Sequence, residues 1–117
     1  MRKLDTERLI EEFIKNAEAN GEAAYSGKYK AVNRTHDRLK EIERIMIKNP
    51  TIAKEMIDAL VNHSNINVKI WVSGIALTLG YRSGDAIKLL KQISTLSGAG
   101  ILSLEAKMIL KVRGILE

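Results

Sequence analysis

The sequence predicts an all-α protein: a short α–α superhelix of six helices, paired into three antiparallel hairpins within a single domain over residues 1–117. Three observations lead there. Apolar residues recur at three- and four-residue intervals along six segments, and no segment alternates as a strand would. The run from Asn65 to Gly80 is apolar on nearly every face, which describes a helix buried among other helices. Short turns join the segments into hairpins of roughly 35 residues, close to the repeat lengths of helical solenoids.

The first helix is expected from about Asp5 to Asn20. Asp5 caps it, Leu4 staples onto Leu9, and Leu9, Ile10, Phe13, Ile14 and Ala17 form its stripe. Asn20-Gly21 ends it, because glycine readily takes the left-handed conformation of a helix terminus. The second spans about Lys28 to Lys48, with Val32, Thr35 or His36, Leu39, Ile42 and Met46 at the helical period. Asn49-Pro50 stops it, since proline disfavours helical geometry in the residue before it.

Pro50 then opens the third helix, where its missing N–H does no harm. Ile52, Ala53, Met56, Ile57, Leu60 and Val61 make the inward stripe. His63-Ser64-Asn65 is a turn, with Asn65 or Asn67 capping the fourth helix. That helix carries two stripes: Val68, Trp71, Val72, Ile75, Ala76 and Leu79 on one side, and Ile66, Ile70 and Leu77 on the other. It is shorter than the ~20 apolar residues that span a bilayer, so a core helix is expected. Gly80 closes it. Ser83-Gly84-Asp85 opens the fifth helix, with Ala86, Leu89, Leu90, Ile93 and Leu96 inward. Ser97-Gly98-Ala99-Gly100 breaks the chain, and the sixth helix turns Leu102, Ala106, Ile109, Leu110 and Leu116 inward. The middle hairpin is flanked on both sides, which accounts for the apolar surface around Trp71.

At 45% hydrophobic residues the chain can build a core unaided. It has no cysteine, which excludes disulfides and thiolate metal sites and fits a reducing cytoplasm. Its first residues run straight into a charged helix without an apolar signal segment, so the expected location is cytoplasmic, with no membrane association. The net charge is +5, unevenly spread. Residues 28–48 hold seven basic and three acidic side chains, and residues 82–113 six and two, while residues 3–22 hold three and six. Two basic segments and a pI of 9.6 suit an anionic partner.

Catalytic patterns are scarce. His36 and His63 stand apart, with no second ligand at metal spacing, so no zinc site is expected. His36 reads as a polar flank of the second helix and His63 as a turn residue. Glu7, Glu11 and Glu12 read as a solvated acidic face. Ser97-Gly98-Ala99-Gly100 joins two helices instead of following a strand, which excludes a phosphate loop. No catalytic residue, metal or cofactor is expected. A binding surface is expected on the inner helices, the second, fourth and sixth, whose exposed residues line a concave wall. The candidates are Arg34, Asp37, Arg38, Lys69, Lys107 and Lys111. Arg34 and Arg38, four residues apart, share a helix face that suits carboxylates or phosphates. Tyr25, Tyr29 and Tyr81 lie near helix ends, where a ring can be buried while its hydroxyl stays wet. Tyr29 is expected to pack the first turn of the second helix and Asn33 to brace the loop before it.

Three patches carry a resemblance. Gly27-Lys28-Tyr29-Lys30-Ala31-Val32-Asn33-Arg34, the stretch from Leu60-Val61-Asn62-His63 through Val68 to Gly74, and Leu104-Glu105-Ala106-Lys107-Met108-Ile109-Leu110 up to Gly114 resemble a bacterial domain-of-unknown-function family (number two thousand and nineteen). Lys69 departs from that pattern, where arginine is commoner, as does Ser73-Gly74, where two alanines are expected. The resemblance implies a HEAT-like fold and a non-catalytic protein-binding scaffold, similar to the helical immunity proteins of toxin–immunity pairs, including contact-dependent inhibition systems. The implied partner is a cognate protein such as a toxin domain, bound by a monomer or homodimer. The alternative is a nucleic-acid-binding protein related to HEAT-like DNA repair glycosylases, in which an exposed tryptophan contacts a damaged base. Trp71 shares its stripe with Val68, Val72 and Ile75, which places it in the core instead.

Overall fold

The computed structural model describes residues 3–115 of the chain. Among them are six α-helices and no strand: α1 (Lys3–Ser26), α2 (Tyr29–Lys48), α3 (Pro50–Leu60), α4 (Ile66–Leu79), α5 (Ser83–Ser94) and α6 (Ile101–Val112). The protein is all-α, as its periodicity predicts. The expected Leu4–Leu9 staple and the inward Leu116 fall outside the described side chains.

Local chemistry sets most boundaries. Asn49 closes α2 by donating from Nδ2 to the Ile45 carbonyl at 2.8 Å, and its own carbonyl accepts the first bond of α3, from the Ala53 N–H at 3.0 Å. The Asn65 Oδ1 accepts from the Val68 N–H at 3.1 Å, so Asn65 is the cap of α4. The His63 Nδ1 accepts from the Asn65 N–H at 3.0 Å, which makes His63 the turn residue expected of it. Gly80, at φ +66°, ends α4 in the left-handed conformation.

α1 differs from its expected bounds. It is already helical at Lys3, so Asp5 lies within the helix and does not cap it. It also continues through Asn20-Gly21 to Ser26. The reason is a helix crossing. A Cβ on Gly21 would lie 3.1 Å from the Asn67 Cβ, so the missing side chain lets α4 approach closely. Asn20 is buried beside it, donating from Nδ2 to the Val32 carbonyl at 3.2 Å and to the Thr35 Oγ1 at 3.1 Å. The Asn67 Nδ2 donates in turn to the Ala17 carbonyl at 2.8 Å and to the Asn20 Oδ1 at 3.1 Å. Asn20-Gly21 is thus a polar weld joining α1, α2 and α4.

α1 packs along α2, and α5 packs along both α4 and α6, while α4 touches α1, α3, α5 and α6. The core follows this arrangement. A larger cluster joins Phe13, Leu39, Ile42, Met46, Met56 and Ile57 to Val68, Val72 and Ile75 of α4. A smaller one joins Ile70, on another side of α4, to Leu90, Ile93, Leu102 and Leu110. The helix around Trp71 is therefore sandwiched, as its all-round apolarity predicts. Several side chains depart from expectation, among them Asn33, which is exposed and does not brace the loop before α2. Leu96 is exposed and Leu89 half-buried, because α5 ends at Ser94 and presents Ala86, Leu90 and Ile93 inward. Trp71 is half-buried, and the Tyr29 ring is exposed.

Candidate functional site

α6 has two apolar faces. Leu102, Ala106 and Leu110 are buried in the smaller cluster. Ile101, Leu104, Met108 and Val112, at intervals of three and four residues, form a second stripe that is 43%, 57%, 53% and 80% exposed. A helix apolar on two sides normally has neighbours on both. Among the described residues this one has a neighbour on one side only, and covering each large apolar side chain is worth about 1.5–3 kcal/mol.

The open stripe forms one wall of a groove of about 670 Å³ between α2, α4 and α6. From α4 come Ile70, Trp71, Gly74 and Ile75, and from α2 come Val32, His36, Lys40 and Glu43. The His36 ring meets the Trp71 indole edge-on, with centroids 5.5 Å apart. The Lys40 Nζ lies 5.8 Å from the Trp71 ring and 3.5 Å from the Glu43 carboxylate. Trp71 is thereby fixed in place with one side on the core and another in the groove. A Cβ on Gly74 would meet nothing within 4 Å, so this glycine leaves the wall open. At the end of α6 the Arg113 Nη2 donates to the Gly74 carbonyl at 3.3 Å and to the Thr78 Oγ1 at 2.5 Å, bracing α6 against α4.

One ionisable group stands out. Glu105 lies between the two faces of α6, lines the groove and is half-buried. Burial pushes its carboxyl above the ordinary value of 4.5. Among the described residues no hydrogen bond or ion pair meets it.

The groove lies on the three helices named from the sequence, but it is not made of the residues named there. Arg34 and Asp37 are exposed on α2, and the Asp37 carboxylate is 3.8 Å from the His36 Nδ1. Arg38 turns toward α1. Its Nε donates to the Glu12 Oε2 at 2.7 Å, and its Nη1 donates to the Glu41 Oε2 at 3.1 Å. The hydrogen bond to Glu12 is the main reason its pKa is raised. Arg34 is thus exposed one turn away from an Arg38 guanidinium that already holds Glu12 and Glu41. Lys69 is half-buried in α4 outside the groove, and Lys107 and Lys111 are exposed on α6, bordering the stripe on its solvent side. The charged candidates lie outside this apolar surface, and the three- and four-residue spacing of Ile101, Leu104, Met108 and Val112 is the signal in the sequence that marks it.

A second hollow, of about 730 Å³, sits at the α2–α3 elbow beside Thr6, Lys48, Thr51 and Glu55, without a continuous apolar face. No group of three or more His, Asp or Glu among the described residues is placed to hold a metal ion. None of their helices is long and apolar enough to cross a membrane. Comparison of the chain with protein-family models, curated proteins and solved structures finds no match.

Proposed function

We propose that this chain is a non-catalytic protein-binding module, and that it serves as an immunity protein, covering and neutralising a cognate bacterial toxin domain of the contact-dependent inhibition type. The observation that carries this reading is the exposed apolar stripe of α6 facing Trp71 across a preformed groove. Contiguous exposed apolar surface with a polar rim characterises protein contact sites. A surface built on rigid helices also binds with a smaller ordering cost than a flexible one. The stacking of hairpins around α4 supports a HEAT-like reading of the architecture, in which α2, α4 and α6 are the inner helices.

Nucleic-acid binding is the competing reading, supported by the net charge of +5. The groove speaks for protein instead, because its charges are balanced, Lys40 and Arg113 against Glu43 and Glu105, and its open wall is the apolar stripe of α6 and not a basic surface. Co-expression with the product of the neighbouring reading frame, followed by capture through a tag on this chain, tests the proposal. A stable complex that Leu104→Asp with Met108→Asp disrupts is the expected result. A chain that remains alone would sink it, and retention on DNA or RNA that weakens steeply with salt would favour the alternative.

A further inference from the structure

Resting on the protein-binding reading, we infer that the groove between α2, α4 and α6 receives a single amphipathic helix of the partner, with a lysine or arginine on its buried side that pairs with Glu105. Three observations define the occupant. The open stripe from Ile101 to Val112 spans eleven residue steps, about 16 Å or three helical turns. Its apolar positions recur at helical spacing, which suits a helix packed alongside with its own side chains between them. The charges then fix what that helix carries. Glu105 is the one acidic group on the groove side of α6, half-buried and without a counter-ion among the described residues. A cation facing it satisfies a carboxylate that the groove already desolvates. Lys107 and Lys111 border the same stripe on its solvent side and call for acidic residues on the occupant's outer flank.

A second copy of this chain fits poorly. Antiparallel pairing of two α6 stripes places Lys107 beside its own twin and Met108 opposite Glu105, and each copy carries +5. The inferred arrangement adds one ion pair on the α6 side of a mainly apolar seam, apart from the Lys40–Glu43 pair on α2, and there it selects the register of the incoming helix, as buried polar groups do in coiled coils.

The test is a displayed library of single three-turn helices, constant on the outward face and randomised at the inward and flanking positions. It is selected against the wild-type chain, against Glu105→Gln and against Gly74→Leu. The expected helices carry lysine or arginine at one inward position and acidic residues on one flank. The best of them, as a free peptide, shifts the emission of Trp71, the chain's one tryptophan. Its affinity falls about tenfold on Glu105→Gln, the loss of one charge-assisted hydrogen bond. It falls further on Gly74→Leu, which fills the groove where space is open. Glu105→Arg reverses the preference toward helices with an inward glutamate. Selected helices without an inward cation, or binding indifferent to Gly74→Leu, would overturn the inference. So would a library from which nothing is enriched, or a dimer in sedimentation that Met108→Asp dissolves. Capture of the partner by co-expression together with any of these failures would leave the protein-binding reading standing and remove only the helix-in-groove assignment.

Discussion

Two glycines show how one residue type serves opposite ends. Gly21 and Gly74 both sit inside helices, where glycine costs about 0.5–1 kcal/mol relative to alanine. At Gly74 the space is open, so Gly74→Ala should stabilise the fold by up to about 1 kcal/mol in urea denaturation. At Gly21 a new Cβ meets the Asn67 Cβ at 3.1 Å, and Asn67 is held by hydrogen bonds to α1. Gly21→Ala should therefore cost about 1 kcal/mol despite the better helix former. The Asn20-Gly21 pair is locally indistinguishable from a helix stop, and only the position of α4, forty-odd residues later, reveals a crossing. Glu105 supplies a pH test. Its folded pKa is raised, so the folded state holds the proton more tightly than the unfolded chain. Its contribution to stability is full below the unfolded carboxylate pKa and is lost as pH rises through the raised folded value. Glu105→Gln should melt higher than wild type near neutral pH. The difference should vanish well below pH 4.5, where the wild-type carboxyl is protonated in both states.

The helix ends that are legible are those marked by local chemistry, Pro50 and Asn65 at starts and Asn49 and Gly80 at stops, whereas neither end of α1 follows its local signal. Asn65→Ala should cost about 1 kcal/mol, since the Val68 N–H loses its side-chain acceptor. Which faces of the helices meet was less legible. The α6 sequence contains two apolar stripes, and periodicity alone cannot say which one packs and which stays open. Leu102, Ala106 and Leu110 pack, because α5 enters from that side through Leu90 and Ile93. The same division of the core predicts an order of opening. α1 to α4 share the larger cluster, whereas α5 and α6 are held mainly by the smaller one through Ile70. Native-state hydrogen exchange should show the amides of α6 opening at lower free energy than those around Leu39 and Met56. Leu110→Ala, which removes a fully buried side chain, should cost about 2–5 kcal/mol and widen that gap.

At the scale of the whole molecule, the charge pattern and the apolar groove are expected to divide the work of recognition. The net charge of +5 is plain in the composition, and of the six residues expected on the wall of the inner helices, Arg34, Asp37, Arg38, Lys69, Lys107 and Lys111, five are basic. The fold gives these side chains different jobs. Arg38 is spent on Glu12 within the protein, whereas Lys107 and Lys111 stand in solvent beside the groove. Exposed charges at a rim act through the long-range field, which is screened beyond about 8 Å at physiological salt. They speed encounter with an acidic partner more than they hold it once bound. Side chains that become fully covered determine the residence time instead. Lys107→Ala with Lys111→Ala should therefore slow association with the partner and flatten its salt dependence, leaving dissociation nearly unchanged. Leu104→Ala with Met108→Ala should do the reverse, raising the dissociation rate by tenfold or more, since each such side chain is worth about 1.5–3 kcal/mol on full burial. Both side chains are more than half exposed in the free protein, so thermal melts of this second variant should match wild type. Surface plasmon resonance at two salt concentrations separates the two effects. Equal loss of association rate in both variants would mean that the groove is not where the partner comes to rest.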